Sequence, residues 1–242
     1  MVARTPTRLM VATYNVHRCI GGDGRRDPGR TQAVLGELNA DIIAVQELEW
    51  RADKALHVLE ELAQRMGYTA IAGPTLLRKD GHYGNALLTR LVVRRVNRLD
   101  LSVAGREARG AIDAVLETDR GAVRVLATHL GLGAGERRTQ MHRLLTELTG
   151  TPMPTVLLGD LNEWFLWGRP LRWLRAHFGK GTAPATFPAR WPVLALDRIW
   201  VEPEGLLREI HVHRSALARI ASDHLPLRGV LEWGERERIP PV

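Results

Sequence analysis

The stretch Thr155-Val156-Leu157-Leu158-Gly159-Asp160-Leu161-Asn162-Glu163-Trp164 decides the reading of this chain. Its first four residues are a short apolar run with β-branched members, which reads as a buried strand. Gly159 closes the run, and a carboxylate and a carboxamide follow two residues apart. In extended backbone, residues i and i+2 face the same side, so Asp160 and Asn162 are expected to look into one pocket. That pocket would lie at the carboxyl end of the strand, where open α/β sheets place their ligands. The same residues also suit an Asp-x-Asn turn that caps its own backbone.

Working outward, other polar clusters fall at the ends of predicted strands. Residues 8–15 alternate into a strand that ends at Asn15-Val16-His17. Asp27-Pro28 reads as a helix start, with Val34, Leu35 and Leu38 as its apolar stripe. Asp41 to Val45 is a second buried strand leading to Gln46-Glu47. A right-handed parallel crossover would bring Asn15 and Glu47 side by side. Asp53 is expected to cap a helix carrying Leu56, Leu59, Leu62, Ala63 and Met66, stopped by Gly67. From Tyr68 to His129 the texture changes to strand-like runs with short turns, including Asp119-Arg120-Gly121, and reads as an antiparallel section. A helix over residues 136–148 and another over 170–178 follow. Residues 193–201, 208–213 and 227–233 read as closing strands.

The clusters have definite chemistry. Asn15 and Glu47 are hard oxygen donors, which suit Mg²⁺ with waters completing its shell. His129 ends an apolar strand, where a lone histidine is more often a structural, hydrogen-bonded residue. Ser222-Asp223-His224-Leu225-Pro226 sets an imidazole beside a carboxylate, and Asp197 opens another buried strand. An Asp–His pair fixes the imidazole tautomer and raises its basicity.

Composition limits the alternatives. With 242 residues, 45% of them hydrophobic, the chain is expected to be one domain, residues 8–233 forming its core and 234–242 a tail. No apolar run is long enough to span a bilayer, and residues 1–8 lack the apolar centre of a secretory signal. Cys19 is the only cysteine, so neither an internal disulfide nor an all-cysteine metal site can form. These features point to the cytoplasm. The net charge of +7 suits polyanionic partners, namely nucleic acid, anionic lipid headgroups or phosphorylated small molecules. No segment marks an obligate protein partner.

Taken in order, Thr13-Tyr14-Asn15-Val16, Gln46-Glu47, Gly84-Asn85-Ala86-Leu87-Leu88, Arg109-Gly110-Ala111, Thr128-His129-Leu130, Gly159-Asp160-Leu161-Asn162, Leu196-Asp197-Arg198-Ile199 and Ser222-Asp223-His224-Leu225-Pro226 resemble the endonuclease/exonuclease/phosphatase superfamily. Asn15-Val16-His17-Arg18-Cys19 and the segment Thr186-Phe187-Pro188, Trp191-Pro192 and Leu196-Asp197-Arg198-Ile199 are similar to its small bacterial members in particular. The resemblance implies the deoxyribonuclease I-like fold: an α/β, four-layer sandwich of two packed mixed sheets flanked by helices. It implies a Mg²⁺-dependent phosphodiesterase, in which Mn²⁺ could substitute, attacking its substrate in line with water. The substrate could be DNA or RNA, a phospholipid or a sugar phosphate. A non-catalytic phosphate- or lipid-binding module is the other reading. By the resemblance Asn15, Glu47 and Asp223 would hold the metal, and Asp160 and Asn162 would position the water and phosphoryl oxygens. His224, oriented by Asp197, would act on phosphate or water. His129 would bond a non-bridging oxygen, and Asn85 and Arg109 would meet the substrate. The chain departs from the pattern twice. His17 stands where several nucleases have an aspartate, and no glutamate is evident to partner His129.

Finally, Trp164, Phe165, Trp167, Trp173 and Phe178 interleave with Arg169, Arg172, Arg175 and Lys180. They could simply pack a helix. They could also form a lip where rings meet a lipid interface or stack on bases, including peripheral contact with an anionic membrane.

Overall fold

A computed structural model describes residues 8–50, 63–77, 82–148, 153–181 and 183–233. Among these the chain runs β1 (Arg8–Asn15), α1 (Pro28–Leu38), β2 (Ile42–Trp50), β3 (Thr69–Leu77), β4 (His82–Thr89), β5 (Val92–Asp100), β6 (Gly110–Thr118) and β7 (Gly121–His129). It continues through α2 (Ala134–Leu148), β8 (Thr155–Asp160), α3 (Arg169–Phe178), β9 (Asp197–Glu202), β10 (Leu207–Val212), α4 (Ala218–Ala221) and β11 (Leu227–Glu232). Most of the expected helix after Asp53 lies outside the described residues. Its end is seen as a helical turn at residues 63–65 that stops at Gly67, φ 75°.

The strands form two sheets, β10-β11-β1-β2-β4-β3 and β5-β6-β7-β8-β9. Each is mixed, with one parallel pair. In the first sheet β1 and β2 run parallel with Asn15 opposite Gln46, and in the second β7 and β8 do so with His129 opposite Asp160. Side-chain alternation along the strands builds the layers. Val11, Ile42, Ala44 and Leu87 meet Ile112, Val125, Val156 and Leu158 between the sheets. The intervening residues face outward. Ala12, Tyr14, Ile43 and Leu88 pack under Val34, Leu35 and Leu38 of α1. Leu126 and Leu157 pack under Met141 and Leu144 of α2 and Leu171 and Leu174 of α3. The expected four-layer sandwich is therefore the observed architecture.

Local chemistry sets the boundaries. Asp27 caps α1 by accepting from the Arg30 backbone N–H at 3.1 Å, with Pro28 in the first turn. The helix ends on Asn39 in the left-handed region rather than on a glycine. Residues 193–196 precede β9 instead of joining it. Leu194 pairs back to Phe187 in an isolated antiparallel bridge, so this stretch closes a loop. No helix among the described residues is long and apolar enough to cross a membrane.

Candidate active site

The carboxyl ends of both parallel pairs open onto one cavity of about 460 Å³. Three backbone devices aim side chains into it. Glu47 lies in a bulge, because Val45 pairs with Ala86 and Leu48 with Gly84, leaving Gln46 and Glu47 opposite Asn85 alone. Its φ of 55° turns the carboxylate toward the cavity while Gln46 stays buried, accepting from the Thr13 hydroxyl. Asn162 also has a positive φ, 50°, so the sequence expectation of extended backbone after Asp160 is not met. An Asp-x-Asn turn holds it instead, with the Asn162 N–H donating to Asp160 Oδ1 at 2.9 Å. The turn and the shared pocket thus coexist. Gly159 is the third device. A Cβ there would meet the Thr128 carbonyl oxygen at 1.9 Å, so only glycine lets β7 and β8 approach beside the site.

Asp160 is the hub. Its Oδ2 accepts from Asn15 Nδ2 at 3.0 Å and lies 3.5 Å from His129 Nε2 and 3.7 Å from His224 Nε2. All these groups are buried. Asn15 Nδ2 also donates to Glu47 Oε1 at 3.2 Å, and Asn15 Oδ1 accepts from the His17 N–H. The expected metal pair is therefore in contact, through the amide nitrogen. Glu47, Asn15 and Asp223 all line the cavity with hard oxygen or amide groups, a donor set that fits Mg²⁺. Asp160, Asp197 and His224 also lie close enough to suggest an ion-binding group. Within that trio Asp197 Oδ2 accepts from His224 Nδ1 at 2.8 Å and from the Thr186 hydroxyl at 2.6 Å, while its Oδ1 has no hydrogen-bond partner among the described residues.

The two histidines are driven in opposite directions. Burial lowers the His224 pKa, but the charge and hydrogen bond of Asp197, with Asp160 and Asp223 behind them, carry it up to about 10. Burial pushes His129 down to about 3, with Arg109 adding to the effect and Asp160 opposing it. Arg109 Nη1 lies 3.1 Å from His129 Nδ1. A guanidinium can only donate, so Nδ1 accepts, while Nε2 lies 3.0 Å from the Asn162 amide nitrogen and 3.5 Å from Asp160 Oδ2. Arg109 thus occupies the position for which a glutamate was sought in the sequence.

Of the expected residues, Asn15, Glu47, Arg109, His129, Asp160, Asn162, Asp223 and His224 line the cavity, and Asp197 stands behind His224. Asn85 is not brought to it. It is buried in β4 and donates to the Gly110 carbonyl at 3.1 Å, which ties the two sheets together. Asp223 faces His17 Nδ1 at 3.6 Å. Sequence reasoning gave no role to Tyr83, beneath the Arg18 guanidinium at 5.1 Å, or to Phe187, 4.8 Å from the His224 ring. Tyr83 could have been found by its position one residue before Gly84. Phe187 carried only a family likeness, in Thr186-Phe187-Pro188, and its place beside His224 comes from the fold.

Residues 12–224 match the profile of the Endonuclease/Exonuclease/phosphatase family. The uncharacterized protein YbhP of Escherichia coli K12 is 32% identical over 241 residues, covering 90% of this chain and 93% of its own. An endonuclease/exonuclease/phosphatase from Beutenbergia cavernae superimposes with a TM-score of 0.76 at 22% identity, covering 96% of this chain and 72% of that one. The human Nocturnin catalytic domain does so with a TM-score of 0.73 at 19% identity, covering 96% and 100%.

Proposed function

Because this chain belongs to the endonuclease/exonuclease/phosphatase family, we propose that it is a Mg²⁺-dependent phosphoesterase that hydrolyses a phosphodiester by in-line attack of water. The observation that carries this reading is the split between two histidines on one carboxylate oxygen. Titratable neighbours whose environments drive them apart divide acid and base roles between them. His224, with its pKa near 10, is an imidazolium at neutral pH and donates from Nε2 to a phosphoryl oxygen. It cannot also take a proton from water. That task falls to Asp160, whose Oδ2 faces both rings and is steadied by Asn15. His129, its pKa lowered by burial, and the Asn162 amide, 3.0 Å from its Nε2, would face the non-bridging oxygens. Arg109 adds positive charge to the same wall.

Glu47, Asp223 and Asn15 would hold the ion. Mg²⁺ bound there would polarise the phosphoryl group and offset its charge. Arg18, Tyr83 and Phe187 line the same cavity.

Hydrolysis of bis-p-nitrophenyl phosphate with Mg²⁺ or Mn²⁺ tests the proposal. Glu47→Ala and His224→Ala should each lower the rate by at least about a hundredfold, and excess chelator should stop it. Full activity in chelator or in either variant would refute the mechanism. A panel of DNA, RNA, phospholipids and sugar phosphates then identifies the natural ester.

A further inference from the structure

Nine large apolar side chains are exposed among the described residues, and seven sit on three loops. Leu132 is on the loop before α2. Trp164, Phe165, Leu166 and Trp167 are consecutive on the loop before α3. Trp191 and Val193 cap the loop from Phe187 to Leu194, each 74% exposed. Each of these loops also lines the cavity, through Leu132, through Trp164, and through Phe187 and Leu194. The apolar groups therefore ring the cleft mouth rather than scatter over the surface. Scattered apolar residues need no explanation, whereas a clustered patch marks a contact surface.

The charges on these loops are one-sided. In residues 130–139, 161–175 and 186–195 every exposed charge is an arginine, namely Arg138, Arg169, Arg172, Arg175 and Arg190. The two glutamates in these stretches are buried and turned inward. Glu163 pairs with the buried Arg137 at 3.2 Å, and Glu136 bonds the Gln140 side chain and the Gly133 N–H. Arg137 in turn stacks on Trp164 at 4.8 Å, so the rim is braced from within by a buried ion pair.

We propose that these three loops form a membrane-docking rim that seats the cleft mouth on an anionic lipid surface. Tryptophans settle at the level of the headgroups, aliphatic tips enter the acyl boundary, and arginines meet lipid phosphates. Leu132, Leu166 and Val193 favour lipid over nucleic acid, since aliphatic side chains offer no ring on which bases stack. The exposed side chains come from three separate loops rather than from one helix or strand face. Docking stands apart from catalysis, since it does not require the cleft to be hydrolytic.

Flotation of the full chain with vesicles tests this. The protein should bind phosphatidylglycerol/phosphatidylcholine vesicles with a blue shift of tryptophan emission, and binding should weaken as salt rises. Trp167→Ala/Trp191→Ala should reduce vesicle affinity by at least about tenfold, leaving the melting temperature and soluble-diester hydrolysis unchanged. Arg169→Glu/Arg190→Glu should abolish the preference for anionic over neutral vesicles. The proposal is overturned if the wild type fails to float at low salt, or if the double tryptophan variant floats equally well. It is also overturned if that variant loses oligonucleotide binding or self-association while vesicle binding stays intact. A protein that floats but hydrolyses no phosphoester would leave the docking rim standing and remove the phosphoesterase reading.

Discussion

Asp197→Asn is the most informative change, because it alters charge while keeping shape. Both leading upward influences on His224 come from Asp197, one as charge and one as a 2.8 Å hydrogen bond. A buried hydrogen bond to a charged group is worth roughly 1.5–3 kcal/mol, or about one to two pKa units. Without it, burial and the weaker pull of Asp160 and Asp223 remain, so His224 should fall from about 10 to roughly 8 or lower. The carboxamide keeps an acceptor for Thr186 and His224. Its NH₂ replaces Asp197 Oδ1, a buried atom without a hydrogen-bond partner among the described residues. That leaves an unpaired donor costing about 1–3 kcal/mol, a drop of roughly 2–12 °C in melting temperature for a chain of this size.

Two readouts follow. NMR of the imidazole nitrogens in metal-free protein, in chelator, should place the His224 titration near 10 in the wild type and about two units lower in the variant. Hydrolysis of a soluble diester should fall on the order of a hundredfold or more, and its alkaline limb should move toward acid. If His224 titrates near the ordinary 6.5 in the wild type, or the limb stays put while the rate falls, the imidazolium assignment is wrong.

Three other outcomes are expected. Gly159→Ala should fail to accumulate folded protein, or melt far lower, because the Thr128 carbonyl oxygen occupies the Cβ position; a wild-type melt would show that β7 and β8 can part. Arg137→Met strands the buried Glu163 carboxylate and should cost about 3–5 kcal/mol, with much of this recovered in Arg137→Met/Glu163→Leu; additive effects in denaturant melts would show no coupling. Stability should also fall on both sides of pH 6.5. His224 has a raised folded pKa, so its contribution is complete below its unfolded value of 6.5 and is lost as pH rises toward about 10. His129 has a depressed folded pKa, so its contribution is present above 6.5 and is lost as pH falls toward about 3. Each slope is bounded by one proton, about 1.4 kcal/mol per pH unit. Melts of His224→Gln should flatten the alkaline side alone, and melts of His129→Gln the acid side alone.

The fold was legible because its strands alternate and its motifs stand at strand ends in a fixed order. Val156, Leu157 and Leu158 face alternate layers as a two-residue period requires. Most of the site was legible for the same reason. Asn15, Asp160 and His129 are the last residues of their strands. What failed were contacts between segments far apart in sequence. Nothing near His129 in the chain announces Arg109, which reaches it across the pairing of β6 with β7. Asn85 was assigned to substrate from motif order, yet its side chain points between the sheets to Gly110. The loop from Phe187 to Leu194 read as strand or connector because its partner is itself, through a single bridge. Protonation was invisible as well, since identical imidazoles differ here only by the neighbours that folding supplies.

The parallel pairs at the heart of the site belong to different sheets. Asn15 and Glu47 ride on one sheet, while Asp160, His129 and Asp197 ride on the other. The groups of the candidate site therefore keep their spacing only while the two slabs keep theirs. The slabs press together where Gly73 faces Ile112, with no room for a Cβ between them. The apolar filling thus acts as a shim for the gap across the candidate site. Thinning it at Ile112, or wedging it open at Gly73, would detune turnover from deep inside the protein without touching one polar atom of the cleft.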